Sequence, residues 1–246
     1  MYIYLHGFSS GPGSTKARYI QECFGKIGIE LQVPDLNQDD FTHLTMSRQI
    51  AQVVDLFPKD GSPVTLIGSS LGGWAAAIVA QNCPQVERLV LLAPAFDFLN
   101  HWLPKIGDRQ LSLWESSGYL PIYHHAVKNL LPLHYDFLVD ARKYPLSEID
   151  RLLPTLIIHG INDDVIPISA SRAFRTERQG KQAIRRRSRF LHTLQDNPGL
   201  NRHGVSCRVE LADAVHPGQR QEDGPAGHVR NLAADQPGIA ALRHNG

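Results

Sequence analysis

The sequence predicts an α/β fold, a doubly wound and mostly parallel sheet with helices on both faces. Three observations predict it. Short, nearly continuous apolar runs alternate with stretches of helical period, the pattern of strands covered on both faces by crossover helices. One such run, residues 64–67, passes through Gly68-Ser69-Ser70-Leu71-Gly72-Gly73 into the alanine-rich run 74–81, so strand, sharp turn and helix follow without a linker. An aromatic- and histidine-rich stretch over about 96–150 interrupts the alternation once, where a cap inserted at the strands' C-terminal edge would sit.

Taken in order, residues 2–5 (Tyr-Ile-Tyr-Leu) form the first strand and run into the loop His6-Gly7-Phe8-Ser9-Ser10-Gly11-Pro12-Gly13. Ser14 is the expected N-cap of a helix over about 16–26, with Ala17, Ile20, Cys23 and Phe24 on one face. Residues 29–33 read as the next strand, closed by Pro34. A second amphipathic helix covers about 46–56 and buries Ile50, Val53, Val54 and Phe57. Strand 63–67 enters the turn at Ser70, and helix 71–82 leaves it. Residues 88–93 form another apolar strand, stopped by Pro94. The insertion 96–150 shows broken helical periodicity and no strand, so a helical cap is expected. Residues 154–159 restore the sheet, and a helix begins at Ser169.

Composition narrows the function without naming it. The chain has 246 residues, 42% of them hydrophobic and 20% charged, with a net charge of +1, which suits an ordinary globular protein. That balance makes no general case for nucleic acid or membrane partners. No segment has the roughly 20 consecutive apolar residues of a membrane-spanning helix, and the first residues lack the basic and apolar regions of a signal peptide. Cys23, Cys83 and Cys207 are scattered and odd in number, which reads as reduced thiols in a cytoplasmic protein.

Chemistry gathers at strand C-termini in such sheets. Three ends carry candidate groups: Leu5-His6-Gly7-Phe8, the turn at Ser70, and His159-Gly160-Ile161-Asn162-Asp163-Asp164-Val165-Ile166-Pro167. A serine at a strand-to-helix turn, flanked by glycine two residues either side, has the spacing of an exposed nucleophile. Together the three motifs resemble the α/β-hydrolase superfamily. The opening His-Gly-Phe strand end, followed by Ser-Ser-x-x-Gly-Ser-x-Lys-Ala, is similar to the small bacterial YqiA/YcfP-type esterases. The resemblance covers residues 1–174.

That resemblance implies an α/β-hydrolase fold and a serine esterase or thioesterase acting on a small acyl ester. Ser70 would be the nucleophile, with the N–H of Leu71 and that of Phe8 or Gly7 as the oxyanion hole. Asp163 would orient the catalytic histidine. No metal or organic cofactor is implied, and the partner is a small-molecule ester or thioester. Ser69 and Asp164 compete with Ser70 and Asp163 but stand one residue out of register. His6 and His159 read as structural hydrogen-bonding groups, and His124-His125 as cap surface. Gly11-Pro12-Gly13-Ser14-Thr15-Lys16 lacks the spacing of a phosphate loop.

The base is the difficulty. In proteins of this type it follows the acid by about 25 to 30 residues, after one more strand. His192 has that separation, but arginines at 185, 186, 187 and 189 precede it where a strand should. Composition also breaks near 175. Residues 175–246 hold 11 Arg and 1 Lys, and no Tyr or Trp. The chain is therefore expected to divide into a hydrolase domain, 1–174, and an atypical Arg-rich tail, 175–246. The tail is either a natural basic disordered segment or a frame-shifted translation of the usual C-terminus. Without the base, a rival reading is a binding module or an impaired enzyme of the same fold. Nucleic-acid binding by the arginine cluster ranks below both.

Overall fold

The computed structural model describes residues 1–179. Its centre is a parallel sheet in the order β1-β2-β3-β6, built from β1 (Tyr2–Leu5), β2 (Val64–Ser69), β3 (Val86–Leu92) and β6 (Thr155–Ile158). Alternate side chains divide the core in two. Ile3, Leu5, Leu66, Leu89 and Leu91 pack on one face with α2 (Met46–Asp55), α3 (Leu71–Asn82) and α7 (Ile168–Gln179). Tyr4, Ile67, Val90 and Leu92 pack on the other, with Leu31 and α1 (Thr15–Lys26). Both faces are covered, which is why the strands are apolar throughout rather than alternating.

The helices start where their caps are. The Ser14 hydroxyl accepts from the N–H of Ala17 at 3.3 Å, and that of Thr45 from Arg48 at 3.1 Å. Helix α3 has no polar stripe, because residues 71–80 are all buried between the sheet and its neighbours.

Two expectations need correction. The strand over 29–33 shrinks to one bridge between Ile3 and Gln32, whose N–H and carbonyl bond Tyr2 and Tyr4 at 3.0 and 2.7 Å. Gly28, at φ 70°, turns the chain just before it, and Pro34 has no N–H to extend the ladder.

The insertion is not purely helical. It holds α4 (Phe98–Ile106), α5 (Asp108–Ser117) and α6 (Asp136–Ala141), with an antiparallel hairpin between α5 and α6 formed by β4 (Tyr119–His124) and β5 (Asn129–His134). Pro121 and Pro132 argue against strands in sequence, yet they stand opposite each other. Two residues along, the His134 N–H points away from β4 to the Thr42 carbonyl, so Pro121 and Pro132 form a non-hydrogen-bonded pair, where neither missing N–H is needed. Trp114, wholly buried, donates its indole N–H to the Leu133 carbonyl at 2.9 Å. The insertion is tied to the body by Asp140, which accepts from the N–H and hydroxyl of Ser47 at 2.7 and 2.6 Å.

Helix α7 continues unbroken past residue 174 to Gln179. His192 and the arginine cluster at 185–189 lie outside the described residues.

Candidate active site

Ser70 stands at φ 54°, ψ −121°, a region that costs a non-glycine residue about 1–3 kcal/mol. The surroundings over-determine it. Its N–H donates to the Leu92 carbonyl at 3.0 Å, and its carbonyl accepts from Gly73 (2.9 Å), Trp74 (3.2 Å) and Ala95 (3.0 Å). The flanking glycines are needed for closeness rather than for φ. A Cβ on Gly68 would strike the Gly72 carbonyl, and one on Gly72 would strike the carbonyl oxygens of Leu5 and His6. Strand β1, strand β2 and helix α3 therefore meet at van der Waals contact around the serine. Ser69, one residue earlier, is buried in the sheet beside Tyr4. Burial pushes the Tyr4 phenol up to about 12. Only Ser70 of the two lines the pocket.

The end of β1 passes directly beside Ser70. A Cβ built on Gly7 lies 3.3 Å from Ser70 Cβ and 3.8 Å from its Oγ. No acceptor among the described residues takes the N–H of Gly7, Phe8 or Leu71. His6 fixes this loop. Its Nε2 accepts from the N–H of Leu36 at 2.9 Å, so the proton sits on Nδ1, which is 3.0 Å from the Gly7 carbonyl. Both ring nitrogens are used, and the residue is buried.

At the third strand end, Asp163 accepts from the N–H groups of Val165 and Ile166 through Oδ1, at 3.0 and 2.9 Å. Its Oδ2 lies 3.6 Å from His159 Nε2. That nitrogen is 2.9 Å from the Ile166 carbonyl, which can only accept, so it carries the proton. Nδ1 then accepts from the Ser171 hydroxyl at 2.7 Å. Burial lowers the pKa of His159. His159 is a buried, neutral brace for the loop. Asp164 is exposed and offers its backbone carbonyl, at 3.0 Å, to Lys105.

The pocket onto which Ser70 opens is lined by Phe8, Ser9, Val165 and Ile166, by His125, and by four residues of α4 that the sequence did not single out. Phe98, His101, Trp102 and Lys105 come from α4, His125 from the hairpin turn. The first four have i, i+3, i+4, i+7 spacing, a single helix face. That spacing was readable, but nothing in the sequence said which way the face points. His125, expected on the cap surface, is exposed and also reaches the pocket. Among the described residues no group of three or more His, Cys, Asp or Glu could hold a metal ion.

The family model of the Uncharacterised protein family UPF0227 matches residues 1–197. The chain belongs to that family. The match runs past both residue 174 and the end of α7, and it includes His192. Among curated relatives, palmitoyl-protein thioesterase ABHD10 of Bos taurus is 27% identical over 177 residues, 67% of this chain and 57% of its own. The Homo sapiens protein is 26% identical over 180 residues. The chain thus spans little more than half the length of the curated relatives it matches. Among solved structures, a putative hydrolase from Agrobacterium vitis S4 is 25% identical with a TM-score of 0.62, covering 72% of this chain and 74% of the other. Mouse alpha/beta hydrolase domain-containing protein 10 is 23% identical with a TM-score of 0.57 and the same coverages. The fold is that of the α/β hydrolases.

Proposed function

We propose that the protein is a serine hydrolase that cleaves a small ester or thioester by two-step acyl transfer to water. The observation that carries this reading is Ser70, held in a strained turn beside a pocket walled by Phe8, Phe98 and Trp102 and beside unengaged backbone N–H groups. Its Oγ attacks the carbonyl carbon, and the N–H of Leu71 with that of Phe8 or Gly7 receives the oxyanion. A histidine takes the serine proton and returns it to the leaving group, and water then releases the acid by the same route. Asp163 orients that histidine through Oδ2. His192 is the candidate base, on its separation from the acid and its place within the family match. The thioesterase relatives support a thioester among the substrates. Free Cys23 and Cys83 suit a reducing compartment, the cytoplasm.

A specific observation favours a second reading, a hydrolase-fold binding module. Among the described residues the histidine beside Asp163 is His159, which is buried and occupied at both nitrogens. Hydrolysis of a p-nitrophenyl ester separates the two. Ser70→Ala is expected to lower turnover by about 10³-fold or more, and His192→Ala comparably. Equal, slow hydrolysis by wild type and Ser70→Ala would end the enzyme reading. Loss with Ser70→Ala but not with His192→Ala would move the base elsewhere. The tail's origin is tested by sequencing the gene across codon 174, where a frame-shift requires a second frame encoding a strand and a histidine.

A further inference from the structure

The pocket beside Ser70 mixes apolar and basic groups. Phe8, Phe98, Trp102 and Ile166 give it an apolar wall, where the aromatic rings pack on one another, Phe98 on Trp102 at 5.0 Å and Phe8 on Trp102 at 5.5 Å. His101, Lys105 and His125 also line it, and no carboxylate side chain does. The three basic groups come from two elements, His101 and Lys105 from α4 and His125 from the turn of the β4–β5 hairpin. The hairpin turn is seated on the loop after β1, where the His125 N–H donates to the Ser9 carbonyl at 2.8 Å.

Lys105 shows what this rim lacks. Its ammonium donates to the carbonyls of Asp164 (3.0 Å) and Val165 (3.1 Å). These neutral acceptors hold the charge in place without cancelling it, and leave one of its three donors unused. No carboxylate among the described residues pairs with it, and the rings of His101 and His125 have no hydrogen-bond partner there. Such a rim, set against an apolar wall, suits an amphiphilic substrate.

We infer that His101, Lys105 and His125 form a subsite for an anionic group, a carboxylate or a phosphate, on the substrate, whose apolar part lies against Phe98 and Trp102. The inference deepens the hydrolase reading and rests on it for the word substrate. The binding itself does not require turnover.

Three thioesters sharing one butyryl group test it: S-butyryl-N-acetylcysteamine (neutral), S-butyryl-3-mercaptopropionate (carboxylate) and S-butyryl-4′-phosphopantetheine (phosphate). Calorimetric titration into full-length Ser70→Ala protein reads affinity, and thiol release by wild type reads kcat/KM. At least one anionic thioester is expected to bind on the order of tenfold more tightly than the neutral one. Which of the two does so identifies the anion. The preference should shrink at high salt, collapse in Lys105→Met with His125→Gln, and survive in Lys105→Arg. Equal affinities for all three compounds overturn the proposal, as does a preference that the Lys105→Met, His125→Gln chain keeps. Anion-dependent binding with no turnover of any thioester or of the p-nitrophenyl ester sinks the hydrolase reading instead, and leaves the subsite standing.

Discussion

The turn at Ser70 follows β2 and the loop at Asp163 follows β6, two strands of one sheet with β3 between them, yet they are built in opposite ways. At Ser70 the chain has no freedom. Four backbone hydrogen bonds hold the residue, and β1, β2 and α3 approach so closely that Gly68 and Gly72 admit no Cβ. At Asp163 the loop is held by side chains: one carboxylate oxygen takes two N–H groups, and one buried histidine braces the rest. Strand β6 pairs on one side only among the described residues. The turn at Ser70 is specified by about a dozen consecutive residues. The loop at Asp163 depends on groups more distant in sequence, and substitutions should affect the two regions differently.

The largest effect is expected at the tight end. Gly72→Ala places a methyl group against two backbone carbonyls that have no rotamer to escape into. It should destabilise the fold by about 4 kcal/mol or more, read as a collapsed urea midpoint or as insoluble protein. The acid loop should be more forgiving. Asp163→Ala strips the acceptor from two N–H groups and should cost about 1–3 kcal/mol. Asp163→Asn keeps an oxygen for them and should retain most of that stability while esterase activity falls. If both variants lose stability equally, the carboxylate's charge rather than its hydrogen bonds holds the loop.

Ser70→Gly tests stored strain. Relieving a positive φ should raise stability by about 1 kcal/mol and abolish turnover, whereas Ser70→Ala abolishes turnover and keeps the strain. Unchanged stability in Ser70→Gly would mean that the turn is relaxed. The smallest effect is on pH. Burial lowers the pKa of His159 and of His124 from the ordinary 6.5. Below that value the unfolded chain binds more protons than the folded one, so stability falls as pH drops. Melting curves from pH 7.5 to 5 should show Tm declining by about a few degrees, with a shallower decline in His159→Gln.

Much of this architecture was legible because local chemistry dictated it. Ser14 caps the helix its spacing suggested, and the apolar runs around Leu66 and Leu89 are strands. The motif Gly68-x-Ser70-x-Gly72 marks the tight turn because only small residues let those three elements meet. The hairpin was hidden by Pro121 and Pro132, whose tolerance depends on standing opposite each other. The strand expected over 29–33 failed because one ladder residue, Gln32, was all that Gly28 and Pro34 left. The pocket wall was hidden for another reason. Phe98, Trp102 and Lys105 have helical spacing, but the direction of their face depends on how the insertion folds back over β1 and β6.

By itself the sequence determined the class of fold, the place of Ser70 and the glycines that make its turn, all consequences of sterics within a few residues. Tertiary structure alone decided which groups the bracing histidines hold, Leu36 and Gly7 for His6 and Ser171 and Ile166 for His159, and that Asp163 binds the Val165 and Ile166 N–H groups. It also decided that His101, Lys105 and His125 converge beside the serine. Those assignments rest on which donors and acceptors meet across long separations, and no local pattern encodes such meetings.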